Sequence, residues 1–465
     1  AVLVWYVRRA AHRAATRAVH RFRARVNRFK LTKKSYIKTT LMADAVIEQA
    51  VRDHAALHGV PEAEAWRRVA VYIDEIVPHF SILAYYTVGY AVSRAFLNLL
   101  YKVSVDYESL PALERLPDDS VVIYLINHRS NADYVLLAYV LAGDVSISYA
   151  VGEWARAFPL EYVFKSFGSY FIRRKFREPL YHMVLERYVQ LITRNGVTQG
   201  IFPEGGLTRD GRLRPAKIGL LDYALGVARD PALERRMVII PVALNYDRVL
   251  EDRSLLRELA RQEGGERTPR RVQLAEVAHY VTWSVGRLLA RRWRRYGRAA
   301  VTVGRPLFLA EWLERERQAH GDVFALPRTE RLAAVQRLCD EVMSRIGAII
   351  PVTPVALACA ALQSLESDFV PRRTLLERMG EMRDVLVELN GNVLRADRDI
   401  EETFDRAWRM LSMRRILVRH GEGYAVMSRG RPLISYYANS VAHLLGPFEA
   451  GVRARDTLPA MAALG

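Results

Sequence analysis

From Val121 the chain runs apolar through "VVIYLI", breaks into the polar stretch "NHRSNAD", and is apolar again through "YVLLAYVLA". Short runs rich in β-branched and aromatic residues recur at "VSISYAV", "GSYFIRR", "TQGIFPE", "MVIIPVALNY" and "AAVTVGRPL". Helical spacing separates the early ones, in "ADYVLLAYVLA", "EWARAFPLEYVFKSF", "PLYHMVLERYVQLITRNG" and "PAKIGLLDYALGVAR". Strand-helix alternation predicts an α/β layer with a largely parallel central sheet flanked by helices. Before it, "KTTLMADAVIEQAVRDHAALHG" and "EAEAWRRVAVYIDEIV" read as helices, and "LPALERLPDDS" marks a break. After Pro306 the pattern turns helical again, ending in a helix and a hairpin about Gly421 and Gly423. The expected organisation is a basic segment over 1–34, a helical region over 35–117, the α/β layer over 118–310 and a mainly helical region over 311–465.

Charge changes the picture at the ends. The 465 residues carry a formal net charge of +18. Between Ala1 and Ala43 lie twelve Lys or Arg and no Asp or Glu, with Trp, Tyr, Val and Phe interleaved. Such a basic amphipathic segment suits an anionic membrane surface, a calmodulin-like partner or nucleic acid, beside the plainer reading of a solvated tail. Its arginines interrupt any signal-peptide core. The apolar stretch from Phe80 meets Arg94 after fourteen residues, short of the roughly twenty a transmembrane helix needs. Two cysteines, Cys339 and Cys359, form no disulfide framework and suit a reducing compartment.

Polar groups within an apolar layer cost free energy unless paired or used. On one helix, His128 and Asp133 would face apart by ~140°. They meet only if His128 precedes the helix and Asp133 sits in its first turn. An Asp on one imidazole nitrogen fixes the tautomer and supports the cation formed at the other, which makes His128 a candidate general base. The plainer reading leaves Asp133 at a helix N-terminus and Ser130 as its cap. In "GSYFIRRKF", Arg173 and Arg174 alternate faces, so one of them is a candidate anion ligand. In "IFPEGGLTRDGRLRPAKIGLL", Gly205 and Gly206 allow close backbone approach, and Glu204 could hold a hydroxyl or position an arginine. Arg209, Arg212 and Lys217 add cations before a helix. In "MVIIPVALNYDRVLE", Pro241 marks either an apolar groove or a bulge. No P-loop and no His/Cys ligand spacing is present.

Taken in order, "NHRSNAD", "GSYFIRR", "FPEGG" and "IIPVALNYD" resemble the four blocks of the glycerolipid acyltransferases. The wider "FPEGGLTRDGRLRPAKIGLL" and "NYDRVLE" are similar to the membrane-bound bacterial glycerol-3-phosphate 1-O-acyltransferase branch, with the dihydroxyacetone-phosphate acyltransferases close by. The blocks cover Val121 to about Leu250, and weaker likeness continues through "IIPVTPVALACAAL" and "LISYYANSVAHLL". Leu207 and Thr208 depart from the Thr-Arg-Ser of many lysophospholipid relatives, which argues against a lysophospholipid acceptor. The resemblance implies the glycerolipid acyltransferase fold. It implies that His128, oriented by Asp133, takes the proton of the sn-1 hydroxyl of glycerol 3-phosphate. The oxygen then attacks the thioester of acyl-coenzyme A or acyl carrier protein, with no acyl-enzyme. Arg173, Arg174, Arg209, Arg212 and Lys217 would bind the acceptor phosphate, Glu204, Gly205 and Gly206 would shape its site, and Pro241 would lie on the acyl side. No metal or redox cofactor is implied. Expected partners are the two substrates and an anionic membrane surface, with the chain peripheral or monotopic on the cytoplasmic face. A nucleic-acid-binding reading, resting on the basic arm and the winged-helix-like end, leaves the four blocks unexplained.

Overall fold

The computed structural model describes residues 29, 32–78, 90–141, 147–152, 168–173, 176–262 and 295–446. Eight strands form one mixed sheet. In chain order they are β1 (Lys102–Tyr107), β2 (Val121–Ile126), β3 (Ser148–Gly152), β4 (Tyr170–Ile172), β5 (Gln199–Ile201), β6 (Met237–Tyr246), β7 (Arg298–Val303) and β8 (Leu307–Phe308). The order across the sheet is β1-β7-β6-β2-β5-β3-β4, with β8 continuing the β7 side of β6. The five strands from β6 to β4 are parallel, whereas β7 runs antiparallel to β6. A largely parallel sheet is therefore what the alternation produced, closed on one side by an antiparallel edge. β6 is buried along its whole length, as a strand covered on both faces must be.

The principal helices are α1 (Lys34–Met42), α2 (Ala45–His58), α3 (Glu62–Ile76), α4 (Tyr90–Leu100), α5 (Asp133–Leu141), α6 (Pro179–Arg194), α7 (Gly219–Leu225), α8 (Asp252–Gln262), α9 (Leu309–His320) and α10 (Arg328–Ala348). α9 and α10 lie against β6. The N-terminal helices pack on α6. There Asp44 caps α2 by accepting from the N–H groups of Val46 and Ile47, while its other oxygen holds the Arg187 fork at 2.7 and 2.9 Å. The expected helix over 153–167 falls outside the described residues, as does the basic arm before residue 29.

β1 comes from the region expected to be helical. "KVSVDY" pairs in parallel with β7, Lys102 opposite Arg298. At the other end, α11 (Pro354–Leu365), β9 (Phe369–Pro371), α12 (Arg372–Glu388), α13 (Ile400–Met413), β10 (Leu417–His420), β11 (Gly423–Val426) and α14 (Arg431–Asn439) make a second unit. The hairpin about Gly421 and Gly423 is present as β10-β11, and β9 joins it to give a three-stranded sheet in the order β10-β11-β9. α13, the helix before that hairpin, opens with exposed Glu401, Glu402 and Asp405. Carboxylates there oppose a phosphate backbone, which such a helix would have to approach.

Candidate active site

Because β2 to β6 are parallel, their carboxyl ends share one edge of the sheet, where loops of open α/β sheets gather ligands. Asn127 extends the β2–β6 pairing beyond the last ladder bond. Its amide donates to the Leu244 carbonyl at 3.0 Å and accepts from the Leu244 N–H at 2.7 Å. The next residue, His128, is thereby fixed at the strand end. The chain then turns, and α5 begins at Asp133. Ser130 Oγ accepts from the Ala132 N–H at 3.1 Å, so the serine does cap the turn.

His128 Nδ1 lies 2.9 Å from Asp133 Oδ2. The same oxygen accepts from the backbone N–H groups of Arg129 and Ser130 at 2.8 and 3.0 Å. Oδ1 accepts from the Tyr246 hydroxyl at 2.6 Å. Asp133 is fully buried, and this donor set satisfies an ionised carboxylate in that setting. The imidazole is held from its sides too, with the Phe202 ring centroid 4.2 Å away and the Tyr134 ring edge-on at 5.5 Å. Nδ1 faces the carboxylate, which leaves Nε2 for an incoming proton.

Glu204, from the turn after β5, is 1% exposed. Oε1 accepts from the His128 N–H at 2.8 Å and Oε2 from the Arg214 N–H at 3.0 Å. Its carboxyl ties the two loops together through backbone, not through an arginine side chain. Burial raises it above the ordinary carboxylate range, partly offset by the Arg129 charge and by these two N–H donors. Gly205 has φ +65°, and a Cβ there would come 2.7 Å from Lys217 Cδ. The turn thus needs glycine for its backbone and for the lysine that crosses it. Arg212 and Lys217 are exposed. Arg209 pairs with the exposed Glu258 at 2.7 Å. Among the described residues no three His, Cys, Asp or Glu side chains gather as a metal ligand set.

Residues 110–245 match the family model described as acyltransferase, and residues 282–447 match that of the glycerol-3-phosphate acyltransferase C-terminal region. The chain is thus a homologue of the glycerol-3-phosphate acyltransferases and carries both matched regions. Curated relatives of that name include one from Aeromonas hydrophila, 28% identical over 89% of this chain and 50% of its own length. Others come from Pseudoalteromonas translucida and Xylella fastidiosa, each 25% identical over 89% of this chain and over 50% and 47% of their lengths. The chain spans about half the length of the curated relatives it matches. The solved 1-acyl-sn-glycerophosphate acyltransferase from Thermotoga maritima superposes with a TM-score of 0.30 at 17% identity, over 67% of this chain and 99% of that one.

In this homologue Arg173 closes β4, but its guanidinium is held by Glu75 of α3, with Nε at 2.8 Å from Oε1 and the second nitrogen on Oε2. It also lies over the Phe176 ring at 4.8 Å. The partner that alternation allowed one arginine to have is Glu75, not Glu204. Arg174 falls outside the described residues. Pro241 stands opposite Leu125 of β2, where the far side of β6 passes from β7 to β8. A proline lacks the ladder donor, and the neighbouring edge is interrupted at that point. Its carbonyl accepts from the Gly304 N–H at 2.8 Å.

Sequence reasoning gave no such role to four groups that build the site. Arg129 is 2% exposed and donates to the carbonyls of Gly211 and Ser440, bracing the histidine loop against the loop after β5 and against the end of α14. Glu251 accepts from the Ser130 hydroxyl at 2.7 Å and the Asn131 N–H at 3.2 Å. Arg414 forks onto Asp252, and both are nearly inaccessible. Tyr246 is the fourth. A buried arginine or glutamate carries no local sign in sequence. The only available signal was Tyr246 and Glu251 within the block "NYDRVLE".

Proposed function

We propose that the chain transfers an acyl group from acyl-coenzyme A or acyl carrier protein to the sn-1 hydroxyl of glycerol 3-phosphate, giving 1-acyl-glycerol 3-phosphate for phospholipid synthesis. The observation that carries this reading is the His128 Nδ1–Asp133 pair at 2.9 Å, set at the strand ends beside a loop of exposed cations. Asp133 orients the imidazole, and His128 Nε2 takes the hydroxyl proton as the oxygen attacks the thioester carbonyl. The tetrahedral adduct collapses, the C–S bond breaks, and the imidazolium returns the proton to the leaving thiolate. Arg212 and Lys217, with Arg209 and Arg174, supply the acceptor phosphate with cations, and Gly205 and Gly206 let it approach the backbone. Pro241 belongs to the acyl side.

Both substrates are anionic and the product is a lipid, which suits a basic chain working at an anionic membrane surface on its cytoplasmic face. No helix among the described residues is long and apolar enough to cross a membrane. Twelve cations without an anion before Asp44 support peripheral attachment. The test of the reaction is transfer of a labelled acyl group, from acyl-coenzyme A and from acyl carrier protein, to glycerol 3-phosphate, dihydroxyacetone phosphate and a lysophospholipid, run side by side. Preference for glycerol 3-phosphate is the expected result. Preference for either other acceptor reassigns the substrate, and transfer to none of the three overturns the reading.

A further inference from the structure

We propose that Tyr246 is the third member of the proton-handling set, a positioning residue that acts on His128 through Asp133. It resides at the last position of β6 and is 0% exposed. Its hydroxyl donates to Asp133 Oδ1 at 2.6 Å, the oxygen that His128 does not use. Three features deliver it there. β2 and β6 are parallel neighbours, with Ile126 opposite Val242. The Asn127 amide carries the pairing past the strand end to Leu244. The Tyr101 ring packs on Tyr246 at 5.4 Å and leaves the hydroxyl directed at the carboxylate.

The consequence follows from charge. With a neutral imidazole the His128–Asp133 pair carries one negative charge, and with a proton bound it carries none. A hydroxyl donor stabilises the negative state more than the neutral one, so it lowers the proton affinity of the pair as a whole. That affinity sets how much of the enzyme holds His128 ready to accept a proton. Burial, then the adjacent Asp133 charge, push the Tyr246 phenol well above its ordinary range, so it stays a donor. Among the described residues, the other titratable or charged groups around the pair are Arg129 in the same loop, Glu204 after β5, Glu251 and Asp252 after β6, and the phenols of Tyr134, Tyr101 and Tyr436. The Tyr246 hydroxyl bonds Asp133 and none of these, so its removal addresses the pair.

The inference rests on the acyl-transfer reading for its catalytic meaning, but its test does not. Histidines are labelled with carbon-13 in the full chain, and the His128 signal is assigned by its loss in His128→Ala. The titration of that signal is then followed without substrate. In Tyr246→Phe the midpoint moves up by about half to one pH unit. A fluorinated tyrosine at position 246, a stronger donor of nearly the same shape, moves it down and keeps the proposal testable should the phenylalanine variant not fold. In an Asp133→Asn background, Tyr246→Phe produces no further shift. In transfer assays the acid limb of kcat/KM follows the same upward displacement, with acceptor KM unchanged. A midpoint and limb that stay in place, or an equal shift in the Asp133→Asn background, overturn the proposal and leave Tyr246 a packing residue. An absence of transfer in every variant, with the midpoint shift intact, overturns the substrate reading alone.

Discussion

The loop after β2 and the loop after β5 both bring polar side chains to the same edge of the sheet, and they treat them in opposite ways. From Asn127 to Asp133, all but one of the residues are buried, and those that carry polar side chains are closed onto partners: Asn127 on Leu244, His128 on Asp133, Arg129 on two carbonyls, Ser130 on Glu251. From Gly205 to Lys217, Arg212 and Lys217 are exposed, while Arg209 and Arg214 are half-buried and the ion pair of Arg209 is with an exposed glutamate. A closed network in low dielectric holds one proton acceptor in one geometry. Solvated cations keep their charge for a diffusible anion and give up little by way of built-in partners. On the proposed reading the loops divide the labour, with turnover governed by the first and acceptor affinity by the second. Glu204 links them through the N–H groups of His128 and Arg214.

Changes in the buried loop carry the largest effects. Asp133→Asn keeps the shape but sets an NH2 group against N–H donors and loses the anion that selects the imidazole tautomer. Turnover falls on the order of 10²–10⁴-fold with little change in either KM. A variant that alters acceptor KM alone contradicts the division. Next in size is the brace behind the loop. Arg414→Ala leaves Asp252 buried without its fork and costs about 3–5 kcal/mol in denaturant unfolding, whereas replacing both Arg414 and Asp252 by apolar residues recovers most of it. If the single variant unfolds at the wild-type midpoint, α14 and the hairpin do not support the site.

The exposed loop answers differently. Arg212→Ala and Lys217→Ala each raise the glycerol 3-phosphate KM by roughly two- to fivefold with kcat retained, since a solvated charge contributes about 1 kcal/mol or less, screened by salt. A drop in kcat at constant KM would move these residues into the proton-handling set. The smallest effect concerns pH and stability. Burial holds the carboxyls of Glu204, Asp247 and Glu251 above the ordinary range. The folded chain therefore keeps those protons over a window in which the unfolded chain has lost them. Stability from each group is full below the ordinary carboxylate value and is lost as pH rises through the raised one. In Glu251→Gln the fall of Tm with rising pH, from about pH 4.5 upward, is shallower than in the wild type. Parallel curves would show that Glu251 titrates alike in both states.

The same contrast explains what could be seen in the sequence. β2 to β7 announce themselves as apolar runs bounded by turns, since strands buried on both faces have no polar positions to spare. β1 does not, because "KVSVDY" is a half-exposed edge strand that follows an apolar helix, and its partner β7 lies far along the chain. His128, Asp133, Glu204 and the loop cations were legible because polar residues gathered at strand ends and turns fall in short local blocks. Their supports were not. Arg129 is held by carbonyls 82 and 311 residues away, Arg173 by a carboxylate 98 residues away, and Arg414 by one 162 residues away. Nothing adjacent to an arginine announces a partner that only folding brings near. Arg173, read locally as an anion ligand, is the instructive case, since the carboxylate of α3 already fills its fork.

The central claim is that the buried histidine moves the proton that makes the acceptor a nucleophile. The direct measurement is the initial rate of labelled acyl transfer to glycerol 3-phosphate by purified His128→Ala, with folding checked by its unfolding midpoint. The account predicts a rate lower by about 10²–10⁴-fold at saturating substrate, with the fold retained. Near-normal turnover in the folded variant would contradict it.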